Sequence, residues 1–531
     1  MAAEPVVAQA RLVAALQREL QAAHGPVRRI ETHISYVLLA GAHAYKIKKA
    51  VELGFVDFRT LAQREFFCRE ELRLNRRTAP ELYRNVLPVT GTPERPRLGG
   101  NAAPIEWALQ MVAFDQDGLW DRLAARGALQ APHVDALVEA LVAFHETAAV
   151  IGDGDARGTP EQVRAPMSDN LRVLAGLCLG ADQRAAVARL ATWEAQAYDA
   201  LRDTFARRRR DGRVRDAHGD LHLGNVTQFQ GRTLMFDCLE FSAELRCTDV
   251  FSDVAFMAMD LHAHGQDALA HRFVNAYVEG SGDAGGLSVL RYYSVHRALV
   301  RTKVAALRAA QLGDNAERAA AGQALQRYLQ VALRSSAAAA PVLLLTHGFS
   351  GSGKTALTRS LLELCGAVRF RADVERKRLF GLPALAASDA VLKARLYSRE
   401  AGQATQARLR ELAALALRCG YPVILDATFL GFEARQHARE LAASLGVRCV
   451  LIDFQATQAT LRDRVARRRG DASEADPAVL EQQLAHAEAL TPQEQAEAFV
   501  FDAEPALDEA RMAERWASLL RRLQSAPPAH P

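Results

Sequence analysis

VLLLTHGFSGSGKTALTRSLLELC, residues 342–365, joins an apolar run of strand character to a glycine-rich loop and then to a stretch with helical spacing. The loop GFSGSGKT (348–355) matches the pattern G-x-x-x-x-G-K-[ST], in which backbone N–H groups and a helix N-terminus surround phosphate oxygens. Lys354 can reach the outer phosphates, and the Thr355 hydroxyl can hold Mg²⁺. The residues expected to bind the nucleotide phosphates here are Gly348, Ser350, Gly351, Ser352, Gly353, Lys354 and Thr355.

Short apolar runs alternate with longer helical stretches on the C-terminal side of this loop. AVRFRAD, YPVILDA and GVRCVLIDF each precede a helical stretch. Strands that alternate with helices and are apolar on both faces are typical of a parallel sheet. The small-residue run RSSAAAAP (334–341) is the best linker. We therefore expect an α/β P-loop NTPase domain at 336–531, with its core at about 341–505.

Two strand ends in this half carry acidic residues. Asp426 ends the apolar run of VILDATF and can hold Mg²⁺ directly or through water. Ala427 follows where mechanical ATPases usually have a water-activating Glu, which favours phosphoryl transfer to an organic acceptor. In FRADVERKRLFG, Asp373 ends the second apolar run and Arg376 follows one helical turn later. This stretch resembles the zeta-toxin and polynucleotide-kinase branch of P-loop kinases, which implies that Asp373 accepts the proton of the substrate hydroxyl and that Arg376 orients the acceptor.

The stretch LRDRVARRRGDASEAD (461–476) is rich in arginine. Arg464 and Arg468 are four residues apart, so both can lie on one face of a helix. The stretch resembles the arginine-bearing lid of the same kinase branch, and the resemblance implies that both side chains neutralise charge on the transferring phosphoryl group. A basic helix that only faces solvent is the alternative for either arginine.

In the first half, HGDLHLGN (218–225) has the spacing of the kinase catalytic loop H-R-D-x-x-x-x-N. Asp220 would accept or orient the acceptor hydroxyl, and Asn225 would bind Mg²⁺. The apolar run of TLMFDCLEF ends at Asp237, where a second metal-binding residue of such a site is expected. The two stretches together predict a second nucleotide site, unrelated to the glycine-rich loop.

One substitution in that loop points to the kind of acceptor. Gly219 stands where protein kinases have Arg, and His222 follows three residues later. This pattern resembles the aminoglycoside phosphotransferases and choline-kinase-like enzymes. The resemblance implies an α+β protein-kinase-like fold and a small-molecule acceptor rather than a protein substrate.

The lysine of this site is expected on a hairpin formed by ISYVLLA (34–40) and AYKIKK. Lys46 and Lys48 share a face because the strand period is two. Lys46 is the preferred phosphate contact, with Lys48 as the alternative. On the following helix, Glu70 is the preferred ion-pair partner of the lysine and is expected to belong to the ATP site, with Glu71 as the alternative.

No G-x-G-x-x-G precedes the lysine strand, so Thr32 and Ser35 are candidates to bond the phosphates instead. The first domain is expected at 1–335, with a small lobe at about 1–115 and a helical lobe at about 116–335. The two domains show no internal repeat and are predicted to have different folds.

Composition narrows the class of protein. The 531 residues include 49% apolar and 24% charged side chains, with a formal net charge of +4. This small charge gives no reason to expect nucleic acid as an obligatory partner. Seven scattered cysteines without a C-x-x-C pair argue against a disulfide framework. A cytoplasmic protein without a membrane segment is expected.

The combination of the two halves resembles the bacterial bifunctional aminoglycoside phosphotransferase/ATP-binding proteins. It implies two sites for ATP and Mg²⁺, each transferring a phosphoryl group to a small hydroxylated substrate, with Asp220 and Asp373 on the acceptor side. Two alternatives stay open: a switch in which the first domain senses a ligand and controls the second, and a 5′-hydroxyl polynucleotide kinase. The sequence does not identify the acceptors, the preference for ATP or GTP, or the oligomeric state.

Overall fold

The computed structural model describes residues 3–53, 56–152, 154–177, 179–313, 315–337, 340–467, 472–504 and 509–525. The chain folds into two compact units. The first unit comprises residues 1–264 and 292–333, and the second comprises residues 265–291 and 334–531. Within these described residues, no helix is long and apolar enough to cross a lipid bilayer.

The first unit begins with a six-stranded antiparallel sheet. Its strands are β1 (Val27–Glu31), β2 (Ser35–Ala40), β3 (His43–Lys48), β4 (Tyr83–Thr92), β5 (Arg95–Leu98) and β6 (Glu106–Val112). They lie in the order β1-β2-β3-β6-β4-β5. β2 and β3 form the expected hairpin, because Ala40 pairs with His43 across a two-residue turn.

The rest of the first unit is mainly helical. The helices of residues 3–336 are α1 (Ala3–His24), α2 (Leu61–Asn75), α3 (Trp120–Ala125), α4 (Ala131–Thr147), α5 (Pro160–Gly176), α6 (Ala181–Arg210), α7 (Ala243–Arg246), α8 (Val250–Ala263), α9 (Asp267–Ser281), α10 (Leu287–Gln311) and α11 (Ala316–Ser336). All of them except α9 lie wholly or mostly in the first unit. Two short antiparallel ribbons pair β7 (Val214–Asp216) with β10 (Cys247–Asp249) and β8 (Val226–Phe229) with β9 (Arg232–Met235). This is the α+β protein-kinase-like fold expected from the sequence.

The second unit is built on a parallel sheet. Its strands are β11 (Val342–His347), β12 (Val368–Arg371), β13 (Val423–Asp426), β14 (Arg448–Gln455) and β15 (Phe499–Asp502). They lie in the order β12-β13-β11-β14-β15, with every pair parallel. The helices are α12 (Lys354–Cys365), α13 (Ala372–Leu379), α14 (Ala390–Leu396), α15 (Arg399–Arg418), α16 (Phe432–Ser444), α17 (Gln458–Arg467), α18 (Pro477–His486), α19 (Pro492–Glu497) and α20 (Glu509–Ser525). The predicted α/β P-loop fold with a parallel sheet is confirmed.

Helix α9 belongs to the second unit although it lies between two helices of the first in the chain. The buried Asn275 Oδ1 accepts a hydrogen bond of 2.7 Å from the backbone N–H of Arg369 in β12. Arg272 forms an ion pair of 2.7 Å with Glu363 on α12. These contacts explain why α9 packs beside α12 and the edge strand β12. A domain boundary at the predicted linker (334–341) would instead have placed α9 in the first domain.

Candidate active sites

The glycine-rich loop of the second unit lies between β11 and α12. A side chain at Gly351 would bring its Cβ to 2.7 Å from the Leu461 carbonyl oxygen, and its φ of +89° favours glycine. The Lys354 ammonium donates to the carbonyl oxygens of Gly348 (2.9 Å) and Phe349 (2.8 Å). The loop is therefore closely packed against α17, and its own backbone carbonyl groups hold the lysine.

The other predicted loop residues have identified partners. Ser352 Oγ accepts from Lys354 at 3.3 Å, and the Gly348 N–H donates to the Thr428 carbonyl at 3.1 Å. The Ser350 N–H donates to Gln483 Oε1 at 2.9 Å, while Gln483 Nε2 donates back to Ser350 Oγ at 3.0 Å. Gln483 lies on α18, outside any recognisable motif, so the sequence alone does not assign it to this site.

Two carboxylates lie near the loop because β12 and β13 are parallel neighbours. Arg371 pairs with Asp426 in the sheet register, and Asp373 follows Arg371 by two residues. The carboxyl ends of both strands therefore present their acids at one edge. Thr355 Oγ1 donates to Asp426 Oδ2 at 2.7 Å, so the predicted hydroxyl and carboxylate ligands of Mg²⁺ are in contact.

Asp373 is held by the predicted arginine. Arg376 Nη1 donates to Asp373 Oδ1 at 2.6 Å, one turn along α13. The Arg376 guanidinium lies 4.9 Å from the centre of the Tyr397 ring. Burial raises the pKa of Tyr397 to about 12, so this ring is neutral at physiological pH. Tyr397 was not predicted, because it lies about twenty residues further along the chain, in the turn between α14 and α15.

These groups line one cavity of about 590 Å³. Its lining includes Ser350, Gly351, Gly353, Lys354, Thr355, Asp373, Arg376, Tyr397, Gln406, Asp426, Arg464, Arg467 and Gln483. Arg464 Nη2 donates to the Ala503 carbonyl at 2.9 Å. The other predicted lid arginine, Arg468, lies outside the described residues.

In the first unit, the lysine strand carries an ion-pair network. Lys46 Nζ lies 2.7 Å from both Glu71 Oε1 and Asp237 Oδ1. Lys48 Nζ lies 2.7 Å from Glu71 Oε2 and also contacts Glu240. Lys48 is fully buried, whereas the Lys46 side chain keeps 13% of its surface exposed. The network therefore places Lys46 at the edge that a ligand could reach and Lys48 behind it.

The preference for Glu70 as the partner of the lysine is wrong. Glu70 instead bonds Arg73 at 2.6 Å and contacts Arg246 at 3.5 Å, away from both lysines. Glu71 is only 1% exposed and bridges both lysines, because α2 turns this next position toward the sheet. Adjacent helix positions differ by about 100° around the axis, so neighbouring residues such as Glu70 and Glu71 point in different directions.

The burial of this network shifts its proton equilibria. Burial alone would lower the pKa of Lys46, but the carboxylates of Asp237 and Glu71 raise it well above its ordinary value. Burial would raise the pKa of Glu71, but the charges of Lys46 and Lys48 lower it to about 2. Burial raises the pKa of Glu240 in spite of the nearby Lys48. Lys46 and Glu71 are therefore both charged at neutral pH.

The β8–β9 ribbon brings Asn225 and Asp237 to the same end of a hairpin. Val226 pairs with Met235, and the Phe236 N–H donates to the Asn225 carbonyl at 3.0 Å. Asn225 Nδ2 donates to Asp220 Oδ2 at 3.1 Å. The predicted catalytic aspartate and both predicted metal ligands therefore belong to one connected site with Lys46.

Two buried aspartates of α8 bind the backbone of the predicted catalytic loop (218–225). Asp253 accepts from the backbone N–H groups of His218 (2.8 Å) and Gly219 (2.9 Å). Asp260 accepts from the Leu223 N–H at 2.9 Å. A side chain at Gly219 would place its Cβ 3.0 Å from Leu239 Cβ and 3.2 Å from Arg246 Cα, at a φ of +82°. Packing therefore excludes the arginine that protein kinases have there.

The charges around Asp220 favour its ionised form. Burial would raise the pKa of Asp220, but the nearby His222, Arg301 and Arg297 together lower it below its ordinary value. His222 Nε2 lies 3.6 Å from Asp220 Oδ2. Asp220 is therefore a carboxylate at neutral pH that can accept a hydrogen bond from a hydroxyl group.

The suggested substitutes for a glycine-rich loop fit less well. Thr32 Oγ1 accepts from the Ser35 N–H at 3.0 Å within the turn between β1 and β2. Ser35 is fully buried, so its hydroxyl does not face a ligand. The expectation that Ser35 bonds phosphates is wrong. The Thr32 hydroxyl stabilises the turn between β1 and β2.

A family model described as AAA_33, an AAA domain, matches residues 343–490. The uncharacterized protein Rv2004c of Mycobacterium tuberculosis is 32% identical to this chain over 445 residues, which are 84% of this chain and 87% of that protein. The uncharacterized protein Mb2027c of Mycobacterium bovis has the same identity and coverage. Both relatives therefore extend through the two units.

Solved structures similar to each half are also known. A choline/ethanolamine kinase family protein from Mesorhizobium loti has 17% sequence identity, covers 61% of this chain and 98% of its own, and gives a TM-score of 0.41. A gluconokinase from Sinorhizobium meliloti has 21% identity, covers 35% of this chain and 99% of its own, and gives a TM-score of 0.26.

Proposed function

The chain belongs to the family of the mycobacterial proteins Rv2004c and Mb2027c, and we propose that it is an ATP-dependent phosphotransferase with two nucleotide sites. Each site transfers the γ-phosphoryl group of ATP to a small hydroxyl-bearing acceptor. One observation carries the proposal: a single cavity of the second unit joins the phosphate loop to Asp426, Asp373 and Arg376. Phosphoryl transfer needs a phosphate cradle, a metal ligand and an acceptor-side carboxylate within reach of one another.

The residues present fit Mg²⁺ and ATP in both units. Thr355 and Asp426 form an oxygen donor pair of the kind that Mg²⁺ prefers, and Gly351 lets the loop pack closely against Leu461 of α17. In the first unit, Asp237 and Asn225 offer a carboxylate and an amide oxygen beside Lys46. When bound, Mg²⁺-ATP supplies the phosphoryl group and offsets the negative charge that develops on it.

The reaction is a substitution at phosphorus. The acceptor O–H bond breaks and an O–P bond forms, while the bond from the γ-phosphorus to the bridging oxygen breaks and ADP leaves with that electron pair. The hydroxyl proton passes to the acceptor-side carboxylate or to solvent. Donors aimed at the developing charge lower the barrier more than donors aimed at the ground state.

In the second unit, Asp373 is the acceptor-side carboxylate. Its contact with Arg376 fixes its orientation, and the adjacent Tyr397 ring keeps the arginine in place. Arg464 adds positive charge near the loop, since its Nη1 lies 3.9 Å from where a Cβ of Gly353 would be. Lys354 can exchange its backbone acceptors for phosphate oxygens.

In the first unit, Asp220 orients the acceptor hydroxyl. Its lowered pKa makes it a weak base, so it positions the O–H group by accepting its hydrogen bond rather than by storing the proton. Asn225 holds the carboxylate in position from the other side. The Lys46–Glu71 pair fixes the phosphate-binding cation at the site.

The test is a calorimetric titration of full-length protein with a non-hydrolysable ATP analogue and Mg²⁺. The variants are Asp237→Ala and Lys354→Ala, with Arg359→Ala, an exposed cation on α12, as the control. We expect two binding events in the wild type and the control, with a different one lost in each site variant. A single event abolished by Lys354→Ala and untouched by Asp237→Ala would contradict a second nucleotide site and favour the regulatory alternative.

A further inference from the structure

Two arginines of α10 lie beside the catalytic loop of the first unit. Arg297 and Arg301 are four residues apart and therefore share a helix face. Arg297 donates to Ser252 Oγ through Nε (3.1 Å) and Nη2 (2.8 Å). Arg301 Nη2 donates to the Tyr328 hydroxyl oxygen at 3.3 Å. We call Arg297 and Arg301 the α10 arginine pair.

Arg301 also approaches His222, but this contact does not satisfy a donor. Arg301 Nη1 lies 3.4 Å from His222 Nε2. The other ring nitrogen, Nδ1, accepts a hydrogen bond from the Gly224 N–H at 3.1 Å. Since Nδ1 accepts, Nε2 carries the ring hydrogen and cannot accept from the guanidinium. Arg301 therefore presents N–H groups beside Asp220 that its histidine neighbour cannot satisfy.

Neither arginine forms a direct ion pair with a carboxylate among the described residues. Among the described residues, no Asp or Glu oxygen lies within 4 Å of either guanidinium in the ion pairs of the first unit. The nearby acids have other hydrogen-bond partners: Asp253 receives two backbone N–H groups, and Asp260 receives the Leu223 N–H and the Tyr328 hydroxyl at 2.8 Å. The Asp220 carboxylate, whose charge both arginines stabilise, accepts from Asn225 Nδ2 at 3.1 Å. Arg297 is buried and Arg301 is half-buried. A cation that has lost much of its hydration and has no directly bonded anion is costly, so such groups commonly mark an anion-binding site.

The proton equilibria agree with a permanent positive charge at Arg301. Burial alone would lower its pKa, but the field of Asp260 and the contact with Tyr328 raise it. Burial lowers the pKa of Arg297, although the guanidinium lies 4.9 Å from the Phe256 ring centre, which compensates part of the lost hydration. A guanidinium stays protonated under all ordinary conditions.

We propose that the acceptor of the first unit is an anionic hydroxyl compound, whose carboxylate or phosphate group binds Arg301 while its hydroxyl group binds Asp220. The inference rests on the proposed phosphotransferase function and names the substrate class of that site. Guanidinium groups match the planar, two-oxygen geometry of carboxylate and phosphate. A cationic acceptor such as choline or an aminoglycoside would be repelled by the α10 arginine pair.

The experiment uses full-length Lys354→Ala protein, so that turnover comes from the first unit. Mg²⁺-ATP-dependent phosphoryl transfer is measured with four groups of acceptors: carboxylates (glycerate, gluconate), phosphates (glycerol phosphate, glucose phosphate), neutral polyols (glycerol, glucose) and cations (choline, kanamycin). We expect turnover of the carboxylates or the phosphates, and the preferred group identifies the anion. Glycerol and choline should react at least ~10-fold more slowly in kcat/KM.

Variants of Arg301 separate recognition from structure. Arg301→Gln should raise KM for the anionic acceptor about 10-fold to 100-fold, as expected for a lost charged hydrogen bond, with KM for ATP unchanged. Arg301→Lys should recover part of the loss. Arg308→Gln, an exposed position on the same helix, should have no effect.

Each other outcome bears on one of the two proposals. Turnover of choline or kanamycin, or an anionic acceptor whose KM is unaffected by Arg301→Gln, would overturn the anionic acceptor and keep the phosphotransferase. Intact Asp237-dependent nucleotide binding without turnover of either anionic group would also count against it. Loss of that nucleotide binding event itself would overturn the proposed function of the first unit.

Discussion

The two candidate sites differ in how they hold the lysines that we propose to bind phosphate. Lys354 donates to the carbonyl oxygens of Gly348 and Phe349, which lie six and five residues away in the same loop. Lys46 is held by Glu71 and Asp237, which lie 25 and 191 residues away. One site is a local backbone structure and the other is assembled from distant side chains. Substitutions should therefore damage the two sites for different physical reasons.

The largest effect is expected from the side-chain network. Glu71→Gln leaves Lys46 and Lys48 without their shared anion in a buried place, which should destabilise the first unit by about 3–5 kcal/mol. Glu70→Gln is the matched control: it weakens a pair with the exposed Arg73 and a longer contact of 3.5 Å with Arg246, and should cost about 1 kcal/mol. Urea unfolding followed by tryptophan fluorescence measures both, because Trp107, Trp120 and Trp193 lie in the first unit.

Equal losses of stability in the two variants would contradict the assignment of Glu71 as the central acid. The Glu71→Gln variant should also lose the nucleotide binding event that depends on Asp237. Retention of that event, with stability reduced as expected, would limit Glu71 to a structural role.

A smaller effect is expected in the backbone site. Gly351→Ala places a Cβ 2.7 Å from the Leu461 carbonyl at a φ of +89°, so the loop must shift. The strain of about 1–3 kcal/mol should appear as ~10-fold to 100-fold weaker nucleotide binding at the second site. Gly381→Ala is the control: its φ is +70°, but no atom lies within 4 Å of the added Cβ.

Gly381→Ala should therefore lose stability through backbone strain alone and keep its nucleotide affinity. If both variants bound the ATP analogue as tightly as the wild type in calorimetry, close packing behind the loop would not be required for phosphate binding.

The most gradual effect is a pH dependence expected in the first unit. His296 on α10 is buried, and burial with the charges of Arg297 and Lys303 lowers its pKa to about 3. Since the folded pKa lies below the ordinary value of 6.5, the stability that the neutral ring contributes is complete above pH 6.5. That stability is lost as the pH falls from 6.5 toward 3, by up to ~1.4 kcal/mol per pH unit.

The measurement is urea unfolding of wild type and His296→Leu at several pH values between 7 and 5. We expect the wild type to lose stability across this range and the variant to lose less. Parallel curves for the two proteins would show that another group causes the dependence. In the second unit, burial would raise the pKa of Asp453, but the hydrogen bonds from His347 and Gln455 and the charge of His347 together lower it below its ordinary 3.8, so this acid should add nothing between pH 7 and 5.

Much of the architecture could be predicted from local patterns. The β2–β3 hairpin, helix α2 and the alternation of strand and helix after residue 341 follow from periodicity and from turn residues. The glycine-rich loop could be predicted equally well, because all of its residues are contiguous in the sequence. Strands β1, β4 and β5 were missed, since their partly exposed residues give no clean alternation.

Sequence by itself determined the kinds of residue available at each site: a glycine-rich loop before a lysine, acids at strand ends, and an Asp–Asn pair at kinase spacing. Tertiary structure decided which of two neighbouring acids meets the lysines, that α9 completes the second unit, and that Arg301 lies beside Asp220. The reason is physical. Backbone motifs act within a few residues, whereas the partner of a buried charge is whichever group the packing of distant segments brings within reach.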